Sequence, residues 1–394
     1  MKPLLSVLRR HARLAGALLA LLACITTAGA EASRVPTVDR FVAAINAGDA
    51  DALGALLDAE ALAARVIRGL VLDAKVRRDY LKVLGPQFSQ YVRHYGAQLA
   101  AQKATARRMP APGAGAALVR ITTRDRSGNH AHNYLRLDTD DQGRIVDWYD
   151  HALAQPLSQQ LVQQSRTVLS PAQAAQLYVG QAHATAEVAE LLAEVAMRTA
   201  VGDFRSAHAK LLTMPQSVRQ YRVFATLRVA MARHVSVDAY REALSALARH
   251  HGDDDDLQFI LIDHYLLDRQ FAQALGTIDR AARLLGNDEV MEANRCAALT
   301  ELKRKTDAIA ACDRAIALNT AFETPRWTRV RIGLLTEDAA LAIASLTGVE
   351  TAQAKRLDAR QLAAMPYYAW LVKQPEWIAW AAERSGEPVT RGAR

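Results

Sequence analysis

The sequence predicts a mainly α-helical fold in which an N-terminal α+β domain precedes an array of helical repeats. Residues 256–319 contain an internal 34-residue period, which predicts the repeats. Apolar residues make up 51% of the chain but aromatic residues only 6%, as expected for helices rich in Ala and Leu. Alternating, β-branched segments joined by turn residues in residues 105–151 predict the antiparallel strands. At 394 residues the chain is too long for one typical core, so we expect two or three domains.

The two central repeats carry the same small–large–small triple on one predicted helix face. The aligned triples are Ala274, Ile278, Ala281 and Ala308, Cys312, Ala315. Spacings of four and three residues place each triple on one face, and the small residues allow a neighbouring helix to approach closely. A polar turn and an apolar helix precede each triple. Helix, turn and helix at this period is similar to the tetratricopeptide family.

The repeats extend more loosely on both sides of this pair. The anchor alanines of the five predicted copies are Ala207, Ala243, Ala274, Ala308 and Ala339. We therefore predict a tetratricopeptide-type helical-repeat superhelix over residues 171–350. The aromatic-rich segment 351–394 is predicted to be a helical cap and tail, with a docking patch as the alternative. An irregular helical bundle with an Ala-rich core is the alternative to the repeats.

The family resemblance also implies a binding surface. In this family the first helix of each pair lines a concave groove that holds an extended segment or helix of another protein. The residues implied here are Phe259, Asp263, Asn294, Ala297 and Arg329. We therefore expect a protein or peptide partner and no cofactor. The formal charge falls from +8 to +4 without the four basic residues of segment 1–30. A net charge of +4 does not indicate binding to nucleic acid.

Residues 34–165 are predicted to form the α+β domain, with helices first and an antiparallel meander after them. Segments 41–49 and 143–150 resemble the first helix and last strand of the cone-shaped nuclear-transport-factor-like fold. A weaker similarity to periplasmic phospholipid-carrier proteins extends to the helix start at Pro156. This resemblance implies an alternative function, the transport of a lipid or other apolar ligand inside the cone.

Residue types suited to catalysis or metal binding occur in the same domain without a decisive pattern. Isomerases of the cone fold use an Asp base with oxyanion donors, for which Asp147, Asp150, Tyr134 and Tyr149 supply the side chains. Such residues are common on exposed sheets, so we predict no enzyme and keep the isomerase as the minor alternative.

Two partial metal patterns are also present. Asp138 to Ile145 resembles half of a calcium loop but has Tyr149 where a bidentate Glu is needed. The histidines His130, His132 and His151 have no secure further ligand nearby. We therefore predict no metal site.

Residues 1–30 have the pattern of a secretory signal. A basic stretch precedes an apolar run from Leu14 to Ile25, and Ala28 to Ala30 offers small residues for cleavage. We expect a periplasmic or secreted bacterial protein. The alternative is a lipoprotein anchored at Cys24, because Leu21 to Cys24 resembles a lipobox.

Two cysteines, Cys296 and Cys312, follow the predicted cleavage site. They fall on the two helices of one repeat, where the family packs small core residues, so we expect two buried thiols. An oxidising compartment would permit a disulfide instead. The heights of the two residues along an antiparallel helix pair do not quite match, which counts against the bond.

Overall fold

The fold is mainly α-helical, with a small antiparallel sheet near the N-terminus, as the sequence predicts. The computed structural model describes residues 36–110, 117–124, 130–162, 165, 168–179 and 185–385. The predicted signal sequence and Cys24 lie outside these residues. The chain divides into two compact units, Met1–Gly252 and Asp253–Arg394. Within the described residues, none of the helices combines the length and the apolar character that a membrane span requires.

The first unit begins with helices and continues with the sheet. Its helices before the sheet are α1 (residues 36–47), α2 (Ala50–Ala55), α3 (Ala59–Val66) and α4 (Ala74–Ala101). The strands are β1 (Thr105–Arg108), β2 (Ala117–Arg124), β3 (His130–Thr139), β4 (Ile145–Asp150) and β5 (Gln155–Pro156). Strands that are consecutive in the chain are hydrogen-bonded neighbours in the sheet, and every pairing is antiparallel. The predicted meander is therefore confirmed.

Two separate helices, α2 and α3, form between Ala50 and Val66. Leu57 forms an isolated bridge with Ile145 at the start of β4, which interrupts the helix. Asp58 then caps α3, because its Oδ1 accepts a hydrogen bond from the Ala61 backbone N–H at 2.9 Å. In contrast, α4 continues through Pro86, which lies inside the helix.

The edge of the sheet at β1 is covered by one side chain of α1. Asn46 Oδ1 accepts from the Ala106 N–H at 2.7 Å, and its Nδ2 donates to the Ala106 carbonyl at 3.0 Å. The amide thus makes the two bonds that a further strand would make. Such protection prevents edge-to-edge pairing with another chain.

The space between the sheet and the helices is filled by apolar side chains of this domain. Phe41 and Phe88 are fully buried there, and the Phe41 and Trp148 ring centroids lie 6.2 Å apart. Other members of this core include Leu53, Leu62, Leu84, Ile121, Leu135 and Ile145. Protein side chains therefore occupy the interior in which the alternative reading of the sequence placed an apolar ligand.

Helices complete the first unit after the sheet. They are α5 (Leu157–Val162), α6 (Pro171–Val179), α7 (Ala186–Ala200), α8 (Phe204–Leu212), α9 (Gln216–Arg219), α10 (Arg222–Ala232) and α11 (Val237–His251). The α7–α8 turn has Gly202 in the left-handed region at φ 76°, and the Asp203 N–H donates to the Arg198 carbonyl at 2.9 Å. This closure satisfies a carbonyl that the end of α7 would otherwise leave without a partner.

The second unit consists mainly of three helix pairs. They are α12 (Gln258–Leu267) with α13 (Phe271–Leu285), α14 (Glu289–Glu301) with α15 (Lys305–Leu318), and α16 (Thr324–Leu335) with α17 (Ala339–Gln353). The residues with positive φ in their turns are Arg269, Lys303 and Glu337, each one repeat period after the last. Each turn is closed by a backbone bond from residue i to residue i−5. The repeat period is therefore a property of the backbone as well as of the side chains.

The third pair follows this period more strictly than the sequence analysis predicted. One full period after Ala308 lies Ala342, and Ala342, Leu346 and Val349 are all fully buried. The predicted anchor Ala339 begins α17 and stays slightly exposed. The shorter spacing predicted from Ala308 to Ala339 is therefore wrong, and Ala342 is the anchor of this pair.

The C-terminal segment packs on the last helix pair. It contains α18 (Ala359–Ala363) and α19 (Pro375–Ser385). Trp377 and Trp380 of α19 and Tyr368 are buried in one apolar cluster with Leu346 of α17. Arg384 also binds Glu350 of α17, with Nε donating to Oε1 at 2.8 Å. These contacts cover apolar surface of α17, and the function of this segment as a cap stays a prediction.

Candidate partner-binding face of the helical repeats

The first helices of the three pairs in the second unit repeat one position that faces away from the core. Asp263 of α12, Ala297 of α14 and Arg331 of α16 follow one another at intervals of one repeat period. Asp263 and Arg331 are exposed, and Ala297 is half-buried. Asp263 and Ala297 were named from the sequence, whereas Arg331 was missed. Extending the same count past Ala297 would have identified it.

A second repeated position lies one helical turn earlier. Phe259, which the sequence analysis named, is half-buried on α12. One period later lies Ala293, which is only 5% exposed, and one further period leads to the half-buried Trp327. Residues four apart lie on the same face of a helix. The two positions therefore form one continuous first-helix face, which we define as Phe259, Asp263, Ala293, Ala297, Trp327 and Arg331.

The charges on the first-helix face change sign from the first to the third pair. Asp263 carries a negative charge on α12, Ala297 is neutral, and Arg331 carries a positive charge on α16. Arg331 also forms an ion pair with Glu301 of α14 at 2.5 Å. Tyr367 lies close to this ion pair, and burial is the main cause that raises its pKa. The two ends of a bound segment would therefore meet a negative side chain on α12 and a positive side chain on α16.

Arg329 occupies a different position from the other predicted residues. Its guanidinium forms an ion pair with Asp313 of the preceding helix α15. The same pair occurs one repeat earlier, where Arg295 NH2 lies 2.9 Å from Asp279 Oδ1. This repetition indicates that Arg329 holds consecutive pairs together, while Arg331 occupies the position equivalent to Asp263.

Asn294 also lies one residue away from the first-helix face. The equivalent positions are Ile260, which is buried, and Thr328, which is half-buried. Asn294 itself is half-buried, between the exposed face and the helix contacts. Whether Asn294 contributes to binding stays a prediction.

Buried polar contacts fix the first helices in place. The Glu292 carboxylate is only 2% exposed and accepts from Asn287 Nδ2 at 2.8 Å and from Arg314 Nε at 3.1 Å. One repeat earlier, Gln258 Oε1 accepts from Arg280 Nε at 2.7 Å. A buried carboxylate with such partners is favourable only while its partners remain. These contacts therefore fix the helix orientation on which the first-helix face depends.

A disulfide bond joins Cys296 of α14 to Cys312 of α15, with the two Cα atoms 5.2 Å apart. The prediction of two free thiols is therefore wrong. Cα–Cβ bonds tilt toward the N-terminus of their helix. In an antiparallel pair this tilt moves the two Cβ atoms toward each other along the axis when the residue of the second helix lies slightly farther from the turn, as Cys312 does. The small difference in height therefore does not prevent the bond.

The disulfide occupies a core position of the repeat. The equivalent residues are Ile262 and Ile278 in the first pair and Val330 and Leu346 in the third pair, all of them buried. The middle pair thus replaces an apolar contact by a covalent one. This bond fixes α14, the central helix of the first-helix face, to α15.

The carboxylates suggested for an isomerase accept hydrogen bonds from backbone N–H groups of the sheet domain. Asp150 is 6% exposed and accepts from the backbone N–H groups of Ala152 and Leu153, each at 2.9 Å, and from Asn133 Nδ2 at 3.0 Å. Burial raises the pKa of Asp150 to about 6. A general base must reach a substrate proton, and this carboxylate instead orders the turn after β4.

Asp147, Tyr134 and Tyr149 complete the set of suggested catalytic residues. Asp147 accepts from the backbone N–H of Trp148 at 2.8 Å and of Ser158 at 3.1 Å. Burial is the main cause that raises its pKa. Tyr134 is fully buried, and the Tyr149 hydroxyl accepts from Arg222. These contacts join β4 to α5 and α10 and define structural roles for Asp147 and Tyr149.

The partial metal patterns form ordinary structural contacts. Asp140 Oδ1 accepts from the backbone N–H groups of Gln142 and Arg144 at 2.9 and 2.8 Å, which makes the predicted calcium segment a hairpin turn. The His130 and His132 ring centroids lie 6.1 Å apart on β3. Across the described parts of the chain, no group of three or more His, Cys, Asp or Glu side chains has an arrangement that could hold a metal ion.

Comparison with known proteins identifies similar solved structures. No protein-family model matches the chain, and no curated protein matches it. PilW, described as a widely conserved type IV pilus biogenesis factor, is 14% identical over 49% of this chain and 89% of that chain, with a TM-score of 0.36. TTC0263, a thermophilic TPR protein of Thermus thermophilus, is 17% identical over 46% of this chain and 98% of that chain, with a TM-score of 0.31.

A third similar structure is the TPR2AB domain of yeast Sti1 in its complex with pHSP90. It is 15% identical over 55% of this chain and 96% of that chain, with a TM-score of 0.25. TTC0263 and the TPR2AB domain are both described as tetratricopeptide-repeat structures.

Proposed function

We propose that this protein is an exported, non-catalytic scaffold that binds a segment of another protein along the first-helix face of the second unit. The observation that carries the proposal is the repetition of Asp263, Ala297 and Arg331 at one position of three consecutive helix pairs. A regularly spaced row of side chains suits an extended or helical segment better than a compact small molecule. Solenoid repeats characteristically use such extended surfaces for binding.

The charge gradient along the face defines the chemistry of the partner. A segment with a basic side chain near Asp263 and an acidic side chain near Arg331 is complementary to the face. Phe259 and Trp327 offer apolar contacts one helical turn away from these two charges. Opposite charges at an interface favour one orientation of the partner over the reverse. We therefore propose a partner segment of mixed charge that binds in one direction.

Export is the second part of the proposal. The pattern of residues 1–30 supports a secretory signal with cleavage after Ala30, and the Cys296–Cys312 disulfide supports an oxidising compartment such as a bacterial periplasm. The intact mass of the exported protein tests this part. A chain beginning at Glu31 supports it, and a chain beginning at a lipid-modified Cys24 contradicts cleavage after Ala30.

Site-specific photo-crosslinking tests the binding face. A photoreactive amino acid at Asp263 or at Ala297 is expected to crosslink one partner in an envelope extract. The matched controls are Gln273 of α13 and Thr306 of α15, which are exposed positions on the second helices. Equal crosslinking from the control positions would contradict the proposed face.

Charge reversal then tests the direction in which the partner segment binds. The affinity of each variant is measured for the purified partner that crosslinking has identified. Asp263→Arg or Arg331→Glu alone is expected to weaken binding about tenfold, which corresponds to about 1.4 kcal/mol. A partner that binds all variants with unchanged affinity does not use this face.

A further inference from the structure

A cleft in the first unit combines an apolar floor with a basic rim. It lies among α8, α9, α10 and α11 and has a volume of about 360 Å³, within the usual range of small-molecule sites. The floor includes Leu211, Phe224, Ala243 and Ala246. Such a floor favours an apolar ligand surface, because burial removes that surface from water.

The rim carries a net positive charge. Arg219, Arg228 and Arg249 face one acidic residue, Glu242, which gives three positive charges against one negative charge, or +2. Glu242 Oε1 accepts from Arg228 NH2 at 2.7 Å. In the described part of the chain, neither Arg219 nor Arg249 forms an ion pair. The cleft therefore holds more positive charge than its own carboxylate neutralises.

One donor in the cleft is buried and unused. The side chain of Arg228 is only 13% exposed, and its Nε has no hydrogen-bond partner among the described residues. A buried donor without an acceptor is unfavourable. The planar guanidinium group matches carboxylate and phosphate oxygens particularly well. An anion in the cleft would match the guanidinium groups that line it and would neutralise the excess positive charge.

We infer that this cleft binds a small amphipathic anion. Its carboxylate or phosphate group contacts Arg219, Arg228 and Arg249, and its apolar body lies on Phe224, Ala243 and Ala246. The inference does not depend on the proposed function of the second unit, because each residue that carries it belongs to the first unit.

Calorimetric titration of the purified protein with four probes tests the inference. The probes are octyl phosphate, octanoate, inorganic phosphate and the neutral octyl glucoside, all below their micelle concentrations. At least one octyl anion is expected to bind about tenfold more tightly than inorganic phosphate and octyl glucoside. The tighter of the two octyl anions identifies the preferred head group.

Variants at the rim and at the floor separate the two contributions. Arg219→Gln with Arg249→Gln is expected to weaken binding of the octyl anion at least tenfold, since charge-assisted hydrogen bonds are lost. Arg205→Gln is the matched control, because Arg205 is an exposed arginine of α8 outside the cleft. Ala246→Leu is expected to weaken binding without changing the charge, because the larger side chain fills the cleft.

Three results would overturn the inference. The first is no binding of either octyl anion at millimolar concentration. The second is binding of octyl glucoside or of inorganic phosphate as tight as that of the octyl anions. The third is an unchanged affinity of the Arg219→Gln/Arg249→Gln variant when circular dichroism shows that it is folded.

Discussion

Replacing Gly333 by alanine tests the close packing of α16 against α17. A Cβ atom added at Gly333 would lie 2.7 Å from the backbone N and 2.8 Å from the Cβ of Ala342. Carbon atoms in contact normally lie about 3.5–4.0 Å apart. The equivalent positions of the other pairs hold Tyr265 and Leu299, so the third pair requires a glycine where the other pairs carry large side chains.

Two opposing effects determine the result of Gly333→Ala. Alanine in a helix interior is favoured over glycine by about 1 kcal/mol. Overpacking in a core typically costs about 1–3 kcal/mol, and a clash with backbone atoms belongs at the upper end of that range. We therefore expect a net loss of about 1–2 kcal/mol from the free energy of unfolding of this helix pair.

Gly276→Ala is the matched control for this experiment. Gly276 also lies inside a helix, α13, but a Cβ added there meets no atom within 4 Å. The same substitution should therefore stabilise α13 by about 0.4–1 kcal/mol. Hydrogen exchange of the amides in α16 and α17, and separately in α13, measures both local effects. Slower or unchanged exchange in α16 and α17 of Gly333→Ala would refute the close approach at Ala342.

The remaining predictions concern the links within the second unit. Reduction of the Cys296–Cys312 disulfide should lower the free energy of unfolding by about 3 kcal/mol, measured in urea, and the reductant should leave a Cys296→Ser/Cys312→Ser variant unchanged. Arg384→Ala should lower the free energy of unfolding by about 3–5 kcal/mol, because it leaves the Glu350 side chain, which is 10% exposed, without its cation. Replacement of the exposed Arg360 by alanine is the control and should change the free energy of unfolding by no more than about 0.5 kcal/mol. The hydrogen bond from Arg384 lowers the pKa of Glu350 below its ordinary value of 4.5. The stability difference between wild type and Arg384→Ala should therefore be complete above pH 4.5 and shrink as the pH falls through the lowered pKa; a difference that grows on acidification would contradict this ion pair.

The sequence identified the parts of the fold that depend on local pattern. The small–large–small triple at Ala274 and at Ala308 identified the repeats, because helical spacing alone places such residues on one face. Alternation in the segments around Val119 and Tyr134 identified the strands for the corresponding reason. Asp263 and Ala297 were named only because the family resemblance implies a groove along the first helices, and their role in binding stays a prediction.

The same pattern was ambiguous where many neighbouring residues are alike. Residues 339–344 read Ala-Ala-Leu-Ala-Ile-Ala, so several helix faces offer an alanine anchor. The turn around Glu337 selects Ala342, because its backbone bonds fix where α17 begins. Once this register is known, Arg331 rather than Arg329 aligns with Asp263.

Other features were decided by contacts between distant parts of the chain. The roles of Asp147 and Asp150 depend on backbone groups presented by the turn and by α5, and a list of residue types cannot reveal them. The Cys296–Cys312 bond depends on Cβ directions in two packed helices. Sequence periodicity reports which face of an element is buried. Only the tertiary structure determines what that face meets, because distances between elements depend on the packing of every side chain between them.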